Sequence, residues 1–519
     1  MASTFFGLTI AYSGLQAANT SLTITGHNVS NINTKGYTKQ QAGTQAADAL
    51  RTHTTYGAIG SGVVVTEISQ IRDSYYDVKY RNNMANYGQY SVKESYMGQI
   101  EDYLDEFTLN GYSQEYKNFF SAVNQLTITP GDTSAKNQLI NNAKSLADYF
   151  NTLTTNLRNV QADANNEIKD AVQQINSYAK NIAALNRQIN QIEANYGNAN
   201  DLRDKRNAMI DELSEIVNLE TSEEDMGNNV SNFSVRINGQ TLVSSYSYNT
   251  LETVARTDKK NYSDAEGLYD VQWNSGQKFD MYSTSLSGHL KGLIDIRDGN
   301  NGEHENIETD DDGNNVTDSD GNLVLTTAPA ADKTVSYKGV PYYQAQLNEF
   351  ARIFSDAVNK IMKSGYTSDG SSKGISLFVT QPNTTVMSAG NITVNPELLK
   401  NADLLAIKKG QNDGESDAQI MEELNKLQSE KIFAGGTGSY FLESIVSDMS
   451  IDSQKAVNLY KNYTDLKTSI HNQRLSIMGV DTDEEAMDMI KYQQAYNLNS
   501  KMMSVMNQIY DKLINQTGI

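Results

Sequence analysis

The chain has no cysteine among its 519 residues. Disulfide scaffolds, thiolate metal sites and cysteine nucleophiles are thereby excluded. A cysteine-free chain can also be exported unfolded into an oxidising exterior without mispairing. Histidine is scarce, at 5 residues, and no complete catalytic constellation assembles from the motifs present. Proline is equally scarce, again 5, which leaves long helices unbroken. Positive charge is the minority: 42 Lys and Arg face 63 Asp and Glu, a formal net charge of −21. Phosphate backbones need a basic face and anionic bilayers attract basic segments, so neither nucleic acid nor membrane is an expected partner. No apolar run approaches the ~20 residues of a membrane span. The N-terminus lacks the basic segment and apolar core of a cleaved signal peptide, so if the chain leaves the cell it is expected to do so by a route without cleavage.

What is present is 38% hydrophobic residues in a background rich in Asn, Gln, Ser and Thr. That mixture suits long helices with thin apolar stripes, in three or so domains. The stretch Leu8 to Gln40 has two halves. Small or apolar residues recur at Leu8, Ala11, Leu15, Ala18, Leu22, Thr25, Val29 and Ile32, alternating three and four. This predicts one narrow helical stripe, made shallow by Ala11, Ala18 and Thr25 so that a partner helix approaches closely. GHNVSNINTKGYTKQ then stops the helix, with Asn31, Asn33, Thr34 and Gly36 supplying turn chemistry.

At the other end, Gly479 breaks a long helix. Thr482 to Glu485 reads as a capping box, with Thr482 as N-cap and Glu485 reaching back. The helix that follows carries Met489, Tyr492, Tyr496, Asn499, Met503, Met506, Tyr510 and Leu513 in one stripe. A lone helix with a thin stripe is marginal in water. The two terminal helices are therefore predicted to pair with each other, antiparallel, and with neighbouring subunits.

Between the ends, GAIGSGVVV (Gly57, Gly60, Gly62) is not GxGxxG and opens no long helix, so it is no dinucleotide loop. A polar link follows Gln40, then a short strand from Val63 to Ile68. Helix is predicted from near Arg72 to about Phe107, from Glu115 to Leu126, and from roughly Ala135 to Tyr196. Pro130-Gly131 separates the last two. The long tract has two stripes whose phase slips near Ala164, so it is either a rod of about 90 Å or a fold-back. In NANDLRDKRN, Asp201 reads as a helix cap and Arg206 as the partner of nearby acids on a solvated face. From Glu220 the pattern alternates. Phe233, Val235 and Ile237 lead into Asn238-Gly239, a type I′ hairpin signal, and Leu242 and Val243 follow. Further strands are predicted near Leu268–Trp273 and Lys278–Ser283, with Trp273 anchoring their core.

Residues 299–339 are acidic and Gly/Asn-rich. HENIE, His304 to Glu308, begins like HExxH but lacks the second histidine. Asp310, Asp312 and Gly313, and again Asp318, Asp320 and Gly321, space carboxylates like a calcium loop, but neither copy has the twelfth-position glutamate. Turn chemistry accounts for both. No metal, cofactor or catalytic residue is expected. Helix returns at about Tyr343 with Leu347, Phe350, Phe354, Val358 and Ile361 on one face. Asn395-Pro396-Glu397 starts a short helix. Gly435, Gly436 and Gly438 form a connector into the long helix that carries Leu442, Ile445, Met449 and Ile470.

SGLQAANTSL…GHNVSNINTKGYTKQ resembles the N-terminal motif of the flagellar axial proteins. Asn33, Thr34, Gly36, Tyr37, Thr38, Lys39 and Gln40 are most similar to the FlgK (hook-associated) family. That family usually has Pro at the position of Lys35 and Arg at that of Lys39. Asn200, Asp201, Leu202, Asp204 and Arg206, the run Ser287 to Asp298, and VDTDEEAMDMIKYQQAYNLNSKMMSVMNQIYDKLIN resemble further elements of it.

The resemblance implies a mainly α chain with an inserted β-rich domain, its terminal helices pairing as an antiparallel coiled coil in an elongated multi-domain axial protein. The expected divisions are 1–45 and 480–519 (inner coiled coil), 46–220 and 343–479 (helical domain), and 221–342 (outer β-rich domain). The implied function is structural: helical self-association forming the hook–filament junction, outside the cell, after flagellar type III export. Implied partners are the hook protein, a second junction protein on the filament side, the filament cap during assembly and an export chaperone on the C-terminal segment. The assembly residues this points to are Leu8, Leu15, Leu22, Val29, Asn33, Gly36, Tyr37 and Gln40, with Tyr492, Gln493, Tyr496, Met503, Met506, Tyr510 and Leu513. A hook or distal rod protein is the nearer alternative, opposed by GYTKQ and the helical middle. A secreted enzyme is the farther one.

Overall fold

A computed structural model describes residues 6–516, apart from 52–57, 110–111, 258, 300–305, 308–324, 327–336, 383, 385, 415 and 434–435. Gly57, Gly435 and the residues of the HENIE and Asp-Gly motifs, 304–321, lie outside the described residues save 306 and 307. In chain order come α1 (Phe6–Ser30), β1 (Gln40–Ala46), β2 (Leu50–Arg51), β3 (Ala58–Ile59), β4 (Val63–Gln70), α2 (Ser74–Leu109), α3 (Tyr112–Ile128), α4 (Thr133–Glu193) and α5 (Asn200–Ile216). Then follow β5 (Glu220–Asp225), β6 (Ser231–Ile237), β7 (Gln240–Ser244), β8 (Ser247–Tyr248), β9 (Leu251–Ala255), β10 (Tyr269–Trp273) and α6 (His289–Asp298). The last part holds β11 (Asn306–Ile307), β12 (Leu325–Thr326), α7 (Val340–Ser364), β13 (Tyr366–Thr367), β14 (Phe378–Thr380), β15 (Ile392–Val394), α8 (Pro396–Lys400), β16 (Ala406–Lys408), α9 (Gln419–Lys426), α10 (Gly438–Met478) and α11 (Thr482–Asp511). The chain is mainly α with small antiparallel sheets, as expected.

Two units divide the chain. One comprises residues 1–85, 175–250 and 464–519; the other 86–174 and 251–463. In the first, α1 and α11 pair. Gly7 lies opposite Met506, Gly14 opposite Asn499, and Asn28 bonds Glu485, so the helices run antiparallel. The α1 seam is Gly7, Ala11, Gly14, Ala18, Ser21, Thr25 and Asn28, spaced four and three. Small residues are needed there because α11 supplies large ones. A Cβ on Gly7 would stand 2.9 Å from Met506 Cε, and one on Gly14 2.7 Å from Asn499 Oδ1. Leu8, Leu15, Leu22 and Val29 flank this seam, half-buried.

The expected polar link after Gln40 is instead strand β1, paired with β4 through a bulge at Gly43/Thr44. Its alternating polar residues mask it, since pairing and not burial defines it. β5 to β8 form a four-stranded antiparallel sheet. Its Asn238-Gly239 turn has φ of 50° and 77°, the doubly left-handed turn the dipeptide predicts.

Helix α4 is continuous for 61 residues and does not fold back at Ala164. The phase slip re-aims the stripe without breaking backbone hydrogen bonds.

The second unit packs an aromatic core. Phe119 of α3 meets Phe354 of α7 edge-on at 5.7 Å, and Phe350 stacks on Phe433 at 5.0 Å. On α7 the buried face closes with Met362 and leaves Ile361 half-exposed. Trp273 is buried against Phe279, at 6.1 Å between rings. The strand expected at Lys278–Ser283 is absent. Only an isolated bridge, Gln272 to Lys278, forms before the chain turns. Gly438, expected in a connector, is the first residue of α10. Asn395 caps α8 by accepting from Glu397 N, with Pro396 at its start.

Candidate assembly site

The turn after α1 is where the first unit is tied together. Asn31 Nδ2 donates to His27 O at 3.0 Å, closing the helix. Gly36 then takes φ +82°, packed so that a Cβ would sit 3.0 Å from Ala208 Cβ. The next four residues tie the turn to α1, α5 and the junction of α10 with α11. Tyr37 Oη donates to Asn28 Oδ1 at 2.7 Å and lies 2.9 Å from His27 Nδ1. Burial, with Asp201, Asp204 and Glu485 nearby, pushes the Tyr37 phenol well up, so it stays a donor. Thr38 gives Asp204 both its backbone N–H, at 3.0 Å, and its hydroxyl, at 2.7 Å. Lys39 N donates to Met478 O at 2.9 Å, and its Nζ lies 2.7 Å from Glu484 and 3.2 Å from Glu485. Burial alone would lower the Lys39 ammonium; the two glutamates outweigh it and leave it raised. Gln40 donates to Asp201 Oδ1 at 2.9 Å.

Asn28 is the hinge pin of this arrangement. It is buried, accepts from Gln40 N at 3.0 Å, and donates to Gln40 O at 3.0 Å and Glu485 Oε1 at 3.1 Å. The end of α1, the start of α11 and the strand β1 are therefore held by one amide side chain.

Behind the turn runs a ladder of alternating charge. Arg72 reaches Asp204 at 3.4 Å and Asp77 at 2.6 Å; Arg474 reaches Asp77 at 2.7 Å and Asp211 at 2.5 Å; Arg81 reaches Asp211 at 2.8 Å. The six side chains are at most 15% exposed, so each charge has its neighbours in place of water. Burial raises the Asp204 carboxyl against the opposing pull of Thr38 and Arg72.

Three local expectations are corrected here. Asp201 does not cap α5; Ala199 holds the cap position without a side-chain bond, and Asp201 turns to Gln40. Arg206 is not on a solvated face. It is buried, 3.3 Å from Glu223, with its guanidinium over the Phe233 ring at 3.8 Å. The N-cap of α11 is Asp481, which accepts from Asp483 N and Glu484 N. Asp481 reaches those donors one residue before Thr482 could, which frees Glu485 to be buried against Asn28 and Lys39.

Of the residues expected to carry assembly, Gln40 is buried, Tyr37 is half-buried, and Asn33 and Gly36 are exposed on the turn. Tyr492, Tyr496, Met503, Met506 and Tyr510 are half-buried along the side of α11 that faces α1. Gln493 and Leu513 are exposed. A second apolar row was not anticipated: Leu498, Met502, Val505 and Ile509, at 69%, 46%, 46% and 45% exposure. It lies about a third of a turn from the seam. Its four-three-four spacing is present in the sequence, directly beside the row that carries the tyrosines. Among the described residues no group of His, Asp or Glu is placed to hold a metal ion, and no helix is long and apolar enough to cross a membrane.

Comparison with known proteins gives consistent matches. Residues 97–378 match the family described as "Flagellar hook-associated protein FlgK helical domain", more than half of the chain. Residues 471–516 match "Flagellar basal body rod FlgEFG protein C-terminal". The chain is 27% identical to Flagellar hook-associated protein 1 of Bacillus subtilis (strain 168), over 100% of this chain and 99% of that protein. It is 28% identical to the protein of that name in Salmonella typhimurium, over 97% and 98%. Among solved structures, the flagellar hook junction protein FlgK from Burkholderia pseudomallei superposes with a TM-score of 0.60 at 14% identity, over 77% of this chain and 100% of that one.

Proposed function

The chain belongs to the FlgK family of flagellar hook-associated proteins, structural components of the flagellum and not enzymes, and we propose from this that it builds the hook–filament junction by helical self-assembly. The observation that supports the assembly step is the α1–α11 pair. Its seam is filled within one chain, yet it keeps the outer α11 row and the flanking leucines of α1 partly exposed. Apolar surface of this kind, repeated along a helix, marks a protein interface. Different faces on one subunit make heterologous contacts, which build open tubes and not closed dimers.

In this reading the turn Gly36–Gln40 fixes the pair to the rest of its unit, so contacts made by the terminal helices are passed on through Asp204 and the charge ladder. The junction adapts hook to filament, with the hook protein on one side and a second junction protein and the filament on the other. The filament cap engages it during growth. A chaperone covers the C-terminal apolar row before type III export to the cell exterior. The test is imaging of flagella in a deletion strain. Hooks that lack filaments support the junction; missing hooks would move the protein to the hook or rod.

A further inference from the structure

Helix α6 is buried along its length, and its Asp295 meets Lys93 of α2 inside the second unit. Lys93 Nζ lies 2.6 Å from Asp295 Oδ2, and the two side chains are 5% and 4% exposed. Tyr337 places its ring 4.0 Å from the ammonium and Tyr90 places its ring at 5.3 Å, which closes the contact to water. Gln89 Nε2 donates to Oδ2 at 3.3 Å. Lys291, one turn back on α6, brings its Nζ to 2.7 Å from Oδ1, but out of line for a hydrogen bond, so that oxygen has no aligned donor.

Two cations thus share one buried carboxylate. Burial pushes the Lys93 ammonium down against the pull of Asp295, and neighbouring lysines push the same way. A dry ion pair of this kind is costly to keep charged. Moving one proton from Nζ to the carboxylate yields a neutral amine beside a neutral carboxylic acid. The amine then lies 2.6 Å from one oxygen of the carboxyl it would attack, so the two groups are already brought together by the fold.

We propose that Lys93 and Asp295 condense into an intramolecular isopeptide bond joining α2 to α6. Lys93 Nζ attacks Asp295 Cγ, and the developing oxyanion on Oδ1 is met by the Lys291 ammonium. The C–OH bond breaks, the hydroxyl leaves with a proton from the attacking nitrogen as one water, and an amide remains. No oxidant, reductant or cofactor enters the balance. Exclusion of water favours the amide over its hydrolysis. The site is independent of the assembly reading.

The test is the intact mass of the purified full-length chain, followed by fragmentation of its tryptic peptides. The expected result is a chain lighter than its sequence by one water, with a branched peptide joining Lys93 to Asp295. Lys93→Met and Asp295→Ala should each restore the full mass, and Lys291→Met should slow the loss in freshly synthesised protein. Should either of the first two fail to fold, the wild-type peptide map alone decides. A wild-type mass equal to the sequence, or a water lost elsewhere, such as at the Asp298-Gly299 pair, overturns the proposal.

Discussion

Leu498→Glu with Val505→Glu separates the outer row of α11 from the seam. The two positions are seven apart on one helix face and are 69% and 46% exposed in the single chain. Full burial of such a side chain contributes roughly 1.5–3 kcal/mol. Scaling by the exposure still to be lost leaves about 2 kcal/mol per subunit for assembly to gain, before any desolvation cost of the new carboxylates. At 1.4 kcal/mol per tenfold, that raises the concentration needed for self-association by roughly 30-fold or more. The fold should respond little, since Leu498 and Val505 are 69% and 46% exposed and the residues that meet Gly7 and Gly14 are Met506 and Asn499. Sedimentation or light scattering of the purified chain reads the association, circular dichroism reads the fold, and motility of the substituted strain reads the consequence. An unchanged melting curve with lost assembly is expected. Normal filaments on cells carrying the double variant would show that the outer row is not an assembly surface.

Met503→Glu with Met506→Glu acts on the other face. Met506 packs on Gly7, so this pair should loosen α11 from α1 and lower helix content before it affects assembly, as hydrogen exchange near Ala11 would report. Gly14→Leu should do the same from the opposite side, because its Cβ would stand 2.7 Å from Asn499 Oδ1; an unaltered terminal pair by the same measurement would contradict the seam. Asp204→Ala strips partners from Thr38 N, Thr38 Oγ1 and Arg72, and should cost about 2–4 kcal/mol in urea unfolding of the first unit. Burial alone would raise the Asp298 carboxyl, but Arg297 and Arg256 hold it far below the usual range. Its folded value is depressed, so its stabilisation is present above the unfolded value of about 3.9 and is lost as pH falls below it. The second unit should therefore hold its stability down to about pH 4 and then fall, and Asp298→Asn should flatten that acid limb while lowering stability at neutral pH. Replacing residues 301–322 by a short Gly/Ser link should leave motility intact, which swimming assays check.

The elements themselves were legible because their causes are local. Asn238-Gly239 set a left-handed turn by its own backbone preferences, and Asn395-Pro396 started a helix wherever it lay. Periods of 3.6 and 2 separated helix from strand, and the thin stripes at both ends required partners. The GYTKQ string carried the family resemblance but not its reason.

That reason is tertiary. Glu485 read as the end of a capping box because the sequence shows its neighbours and not Asn28, which is 457 positions away in the chain. Asp201 read as a helix cap and Arg206 as a charge on a solvated face because their partners, Gln40 and Glu223, sit on other elements. Half of the α1 stripe was read correctly: Ala11, Ala18 and Thr25 lie in the seam, while Leu8, Leu15, Leu22 and Val29 flank it. Apolar residues mark what a helix prefers to bury, whereas a close antiparallel crossing selects what fits, and there Gly7 and Gly14 count for more than Leu8 and Leu15. Sequence alone thus determined the helices, the hairpin and the pairing of the ends. The folded chain decided which face pairs, which charges lose their water and which apolar row stays partly exposed, because each depends on atoms brought together from distant parts of the chain.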